Sequence, residues 1–203
     1  MAKNWIKRRK RDYYYRRAKK EYLRSRASFK LLEIVKKYRF IKAGDIVVDL
    51  GAAPGGWLQV SRKIVGELGF VLGVDVRRIK PLGFDNVFTI VGSIGDPEII
   101  GRIRAILPRP ADVVLSDVSP RVSGVWEVDH ARQIGLAERS LEIAREVLRR
   151  EGNFLVKVFQ GYLYEEFLRL VRRWFYKVKV IKPKASRRES AEIYILGVKF
   201  KKA

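Results

Sequence analysis

The chain has 203 residues, 47% of them hydrophobic, which is enough for one domain with a sizeable core and too short to need two. Its 44 Lys and Arg against 22 Asp and Glu give a net charge of +22, so the natural partner is a polyanion, nucleic acid ahead of an anionic membrane surface. Cysteine is absent and His130 is the lone histidine, which excludes disulfides, thiol nucleophiles, zinc–thiolate sites and His-rich metal centres.

Residues 1–24 form a basic, aromatic-containing arm. Eleven Lys and Arg stand there against Asp12 and Glu21, with Trp5, Tyr13, Tyr14 and Tyr15 interleaved. Such a stretch serves either as a solubilising tail or as an RNA-binding arm, since aromatics offer stacking faces and arginines offer phosphate contacts. It lacks the uninterrupted apolar segment of a secretion signal, and no run in the chain approaches the roughly 18 residues of a spanning helix. A cytoplasmic location without membrane contact is therefore expected. Abundant Arg, Lys and Glu beside few Asn, Gln and Met suggest a thermophilic source.

From Ser25 onward, residues 25–203 read as one domain. Ala27, Leu31, Ile34, Val35 and Tyr38 recur at helical spacing. Apolar runs then alternate with amphipathic segments. "DIVVDL", "FVLGVD", "NVFTIV", "DVVLSD" and "NFLVKVF" predict strands, and Ile134, Ala137, Leu141, Ala144 and Leu148 mark the clearest helix between them. Strands apolar on both faces and separated by helices predict an α/β fold with a mostly parallel sheet covered on both sides. Near the end, "YKVKVIK" and "AEIYILGVKF" are joined by a loop too short for a parallel crossover, so they predict an antiparallel pair.

Chemistry concentrates at the strand ends. "DIVVDLGAAPGGW" is a strand, a glycine-rich turn and a helix start; Gly51, Gly55 and Gly56 allow close backbone approach, while Pro54 removes an N–H that a pyrophosphate cradle would use. The loop suits a nucleoside without pyrophosphate better than a dinucleotide. Asp75 ends the second strand, where an acidic side chain typically receives ribose hydroxyls. Asp117 ends the fourth, across the crevice where strand order reverses. Lys157 interrupts the apolar run of "NFLVKVFQG". It is either a strand-end lysine reaching for water or a catalytic amine, and its place beside Asp117 favours the cleft. His130 reads as structural. For Trp126 and Arg121, beside the Asp117 loop, RNA contact and plain surface roles both stay open.

Together "SRASFKLLEI", "DLGAAPGGW", "LSDVSP" followed by "SG", "FLVKVFQG" and "SRRESAEIYIL" give the chain a resemblance, from about Ser25 to Phe200, to the FtsJ/RrmJ family of S-adenosylmethionine-dependent 2′-O-ribose methyltransferases, the RlmE type. The resemblance implies a Rossmann-like class I methyltransferase fold with a seven-stranded mixed sheet, one strand antiparallel near the C-terminus. It implies S-adenosyl-L-methionine as cofactor, no metal, and a monomer acting on 23S ribosomal RNA or the large ribosomal subunit, at a uridine of the A-loop in the peptidyl transferase centre. The family's Lys-Asp-Lys-Glu tetrad falls on Lys30, Asp117, Lys157 and Glu192, and its cofactor contacts fall on Gly55, Trp57, Asp75 and Asp117. Where relatives often carry an aspartate near the adenine, "VGSIGD" offers Ser93, with Asp96 as the alternative. Lys30 would otherwise pass for a solvated helix lysine like Lys36 and Lys37, and Glu189 competes with Glu192.

Such a site would use Lys157 as general base on the 2′-hydroxyl. An unperturbed lysine, with a pKa of about 10.4, needs a neighbouring cation or desolvation to serve, and Lys30 is the candidate cation. Asp117 would orient the amine and Glu192 would fix Lys30 or a substrate hydroxyl. The rival readings are a transfer-RNA anticodon-loop methyltransferase, a non-catalytic RNA-binding protein that keeps the fold, and a NAD-dependent oxidoreductase.

Overall fold

The computed structural model describes residues 12–187 and 189–201. Helices α1 (Tyr13–Lys20) and α2 (Ser28–Tyr38) precede β1 (Ile46–Leu50), α3 (Gly56–Val65), β2 (Phe70–Asp75) and β3 (Val87–Val91). Then follow α4 (Ile99–Ile106), β4 (Ala111–Ser116), α5 (Trp126–Val147), β5 (Leu148–Phe159), α6 (Tyr164–Trp174), β6 (Phe175–Ile181) and β7 (Glu192–Phe200). The seven strands form one sheet in the order β3-β2-β1-β4-β5-β7-β6. β7 runs antiparallel to both neighbours and every other pair is parallel. The predicted strands, the mostly parallel sheet and the antiparallel pair at the end are all present.

Burial explains the strand sequences. Every residue of β1 and β4 is buried, because helices cover both faces of the central sheet. On one face α4, α5 and α6 pack on Val48, Leu50, Val114, Phe154 and Val156. On the other, α2 and α3 contribute Leu31, Ile34, Trp57 and Leu58 against Val47, Val113, Leu115 and Leu155. Edge strand β6 alternates Lys177 and Lys179 with partly buried Val178 and exposed Val180, a pattern that discourages pairing with another chain.

The basic arm divides. Residues 1–11 lie outside the described residues; the rest is built onto the body. Asp12 caps α1 by accepting from the Tyr15 N–H at 3.1 Å and pairs with Arg26. Ala18 is buried with Phe29 and Ala185. Arg24 accounts for the attachment beyond α1: its guanidinium donates to the carbonyls of Pro54 (3.3 Å) and Pro81 (2.7 Å), and its backbone N–H donates to Gln59 at 2.8 Å. Arg24, the last residue of the expected arm, is thus fastened to the glycine loop. Arg16, Arg17, Lys19 and Lys20 remain exposed along α1.

Candidate active site

The sheet's switch point lies between β1 and β4, and a cavity of about 850 Å³ opens there. Gly51, Ala53, Asp75, Ser93, Ile94, Asp117 and Lys157 are among its walls. Gly51 is held at φ +78°, and a Cβ there would meet Val118 Cγ2 at 2.8 Å, so glycine lets the β1–α3 loop lie against the β4 loop. Asp75, 7% exposed, accepts from the Ala53 N–H and the Arg77 N–H, both at 2.8 Å. Ser93 lines the cavity; Asp96 does not, its Oδ1 accepting from the Glu98 N–H at 2.9 Å. Between the two residues the sequence left open, Ser93 is the one facing the cavity.

Gly55 and Trp57 follow the glycine loop into α3. Gly55, at φ +102°, caps α3. The Trp57 ring is buried, donates from Nε1 to the Ala27 carbonyl at 2.8 Å, and packs on Tyr194. Neither residue is among the cavity's walls; they open α3, whose first-turn N–H groups have no intrahelical acceptor. That turn suits a carboxylate, and the size and mixed apolar and acidic lining of the cavity suit a nucleoside.

The four tetrad positions converge from α2, the loop just after β4, β5 and β7. Lys157 is 4% exposed yet walls the cavity. Its ammonium donates to the Asp117 carbonyl at 2.9 Å and to Ser119 Oγ, and lies 3.1 Å from Asp117 Oδ1. Lys30 pairs with Glu192. It is buried where Lys36 and Lys37, on the same helix, are exposed. Glu189 is exposed, while Glu192 begins β7 and is half-buried.

Tyr194 joins the two ion pairs. Fully buried, its hydroxyl lies 2.8 Å from Asp117 Oδ1 and 3.0 Å from Glu192 Oε1, so one proton serves two carboxylates. Burial and then the charges of Asp117 and Glu192 hold this phenol well above its ordinary pKa, so it remains a donor. Burial would raise Asp117, but Lys157, Lys30 and the Tyr194 hydroxyl outweigh it and hold the carboxyl below its usual range. Sequence reading gave neither Tyr194 nor Ser119 a role. Both stand within two residues of a tetrad position, and the alternation of β7 puts Tyr194 on the same face as Glu192.

A second cavity of about 400 Å³ borders the seam, walled by Arg26, Ala27, Lys30, Arg187, Glu189, Ser190 and Glu192. Burial and the nearby charge of Arg187 pull Arg26 below its ordinary pKa. The tetrad thus stands between two openings. Asp117 and Lys157 face the larger, Lys30 and Glu192 the smaller.

Residues 23–200 match the FtsJ-like methyltransferase family. The chain belongs to that family. It is 49% identical over 98% of its length to ribosomal RNA large subunit methyltransferase E of Methanocaldococcus jannaschii, of which it spans 82%. It is 50% identical to the protein of the same name from Methanothermobacter thermautotrophicus, over 99% of this chain and 95% of that one. A Plasmodium falciparum structure described as a ribosomal RNA methyltransferase superposes with a TM-score of 0.78 at 27% identity, covering 89% of this chain and all of the other. Aeropyrum pernix fibrillarin, solved with S-adenosyl-L-methionine, shares the fold alone: TM-score 0.61, 18% identity, 86% of this chain and 75% of that one. The Rossmann-like methyltransferase architecture expected from the motifs is the one present. Among the described residues no cluster of acidic or His side chains could hold a metal, and no helix is long and apolar enough to cross a membrane.

Proposed function

We propose that the protein uses S-adenosyl-L-methionine to methylate a ribose 2′-hydroxyl in large-subunit ribosomal RNA. The carrying observation is the tetrad's place between two openings, one fit for a nucleoside cofactor and one walled by two arginines beside Lys30 and Glu192. The names of the archaeal relatives support ribosomal RNA as the substrate class. Within it we assign the A-loop uridine that the family resemblance implies. A ribosomal substrate also agrees with the cytoplasmic location expected from the sequence.

When bound, the cofactor supplies an electrophilic methyl group on a sulfonium. The backbone of Gly55–Trp57 at the start of α3 would hold its carboxylate, Asp75 its ribose hydroxyls, and Ser93 with Ile94 its adenine. The nucleophile is a neutral hydroxyl and must lose a proton. Lys157, acting as the neutral amine, takes it and becomes the ammonium, held in place by Asp117 and Ser119. Lys30, tied to Glu192, faces the incoming ribose from the smaller opening, where Arg26 and Arg187 meet phosphate. Alignment of the hydroxyl with the methyl group supplies the rest of the rate.

The test is transfer of a tritiated methyl group to total RNA, followed by alkaline digestion and mapping. A 2′-O-methyl group protects the adjoining phosphodiester, so label in alkali-resistant dinucleotides from large-subunit RNA supports the proposal. Label in mononucleotides would make the acceptor a base, and label in transfer RNA alone would move the substrate.

A further inference from the structure

Beside the seam lies a pile of aromatic rings that the tetrad chemistry does not use. Trp126, the first residue of α5, stacks on His130 (centroids 5.7 Å apart, planes 21° apart) and on Phe159 (6.0 Å, 19°). Tyr162 lies against His130 at 4.9 Å. Phe159 is two residues beyond Lys157 on β5, about 7 Å along the strand. Trp126 closes the loop that leaves Asp117 through Ser119 and Arg121, both walls of the larger cavity.

The pile is rigid at its base and open at its top. His130 is fully buried; its Nε2 accepts from the Leu163 N–H at 3.0 Å. Burial lowers its pKa, which keeps that nitrogen free of a proton. Gly161 lies so close that a Cβ there would come within 2.7–2.9 Å of the imidazole ring atoms, so the β5–α6 turn is seated directly on the ring. Asp129 is likewise buried and accepts from the Ser123 N–H at 2.7 Å and the Gly124 N–H at 3.1 Å, tying the loop to the head of α5. On this footing Trp126 is 44% exposed and Tyr162 64% exposed, with Val125 also exposed. A buried core has no use for half-exposed rings held this firmly, and Arg121, in the loop before α5, and Arg132, on its second turn, are exposed as well.

We propose that Trp126 and Tyr162, set by His130, form a stacking shelf for an unpaired RNA base next to the methylated nucleotide. Every nucleobase has a flat face that stacks on an indole or phenol, and RNA-modifying sites meet their targets in unpaired segments whose bases are splayed. The charge of +22 supplies the attraction for the backbone, and the shelf supplies contact with the base. An extended strand crossing Lys157 would then be gripped on both sides of the target, by phosphate contacts near Arg26 and by stacking near Trp126.

The inference rests on the RNA methyltransferase reading, and the experiment separates the two. Full-length wild type, Trp126→Ala, Trp126→Phe and Tyr162→Ala are titrated with a single-stranded RNA containing 2-aminopurine, and their methyl transfer to large-subunit RNA is measured. Trp126→Ala should raise Kd and the RNA KM by roughly 5- to 150-fold and abolish 2-aminopurine quenching. The rate at saturating RNA and the cofactor affinity should stay as in wild type, while the melting temperature should fall modestly as the stacking on His130 and Phe159 is lost. Trp126→Phe should recover most of the loss, and Tyr162→Ala should show a smaller one. Unchanged RNA affinity in Trp126→Ala overturns the shelf, as does an equal loss in Trp126→Phe, which would mean shape rather than stacking. Weaker binding to intact large subunits with unchanged binding to naked RNA would overturn it too and make the face a protein contact. Wild type that quenches 2-aminopurine but transfers no methyl to any RNA would sink the catalytic reading and leave the shelf standing.

Discussion

The larger cavity and the seam of paired tetrad side chains adjoin, yet they are made differently. The cavity is largely loop backbone and strand ends: Gly51 at a positive φ, Asp75 at the end of β2 and Asp117 just after β4. The seam is built mainly of side chains from distant parts of the chain, Lys30 pairing with Glu192 across 162 positions and Lys157 with Asp117 across 40. A site of the first kind depends on local conformation and tolerates change residue by residue. A site of the second kind is one hydrogen-bonded unit, so each member's removal is felt by the others.

That contrast orders the expected effects. Lys157→Ala should lower methyl transfer by about 10²–10⁴-fold while sparing cofactor binding, read by single-turnover transfer and calorimetry. Asp75→Ala should do the reverse, weakening cofactor affinity by about 10- to 100-fold with a smaller effect on the rate at saturation. Comparable losses of affinity in both variants would erase the distinction between the two regions. Tyr194→Phe removes only the bridging hydroxyl and should cost about tenfold in rate, because Asp117 and Glu192 then face each other without a shared proton.

A smaller effect should come from the arm. Removing residues 1–11, with Lys3, Lys7, Arg8, Arg9, Lys10 and Arg11, leaves α1 and Arg24 in place. The log–log salt slope of RNA binding should flatten by roughly 0.7–0.9 for each lost phosphate contact. An unchanged slope would show that these charges do not touch RNA.

The smallest concerns Asp49, which lies on β1 with both carboxyl oxygens buried and without a hydrogen-bond partner. Burial, then the charges of Asp117 and Asp75, hold its pKa well above the ordinary value. Above about pH 4 the unfolded chain ionises this group while the folded protein keeps the proton, so its contribution to stability is greatest below that pH and falls as pH rises toward the raised pKa. Asp49→Asn should therefore gain on wild type as pH goes from 4 to 7. The gain in melting temperature is about 2–4 °C per kcal/mol for a chain of this size. A constant difference across that range would mean Asp49 is ionised in the folded protein.

The same contrast explains what could be read in advance. Strand runs, their order about the switch point and the glycine loop follow from local patterns, and all are found. The tetrad became visible only through the family's ordered motifs, because Lys30 and Lys36 look alike on a helix until β7 arrives beside one of them. Tyr194 and Ser119 stayed hidden for a related reason. A buried tyrosine on an apolar strand reads as core, and nothing local reveals that its hydroxyl meets two carboxylates. Nor did charge alone show that Arg24, counted with the arm, is fastened to the carbonyls of Pro54 and Pro81.

The central claim is that the seam deprotonates a ribose hydroxyl through Lys157. Lys157→Arg tests it most directly, since arginine keeps the positive charge beside Asp117 but cannot release a proton at accessible pH. With cofactor and RNA saturating, the account predicts single-turnover transfer nearly as slow as in Lys157→Ala, with both ligands still bound. Substantial transfer by Lys157→Arg would contradict it and leave Lys157 a positioning charge.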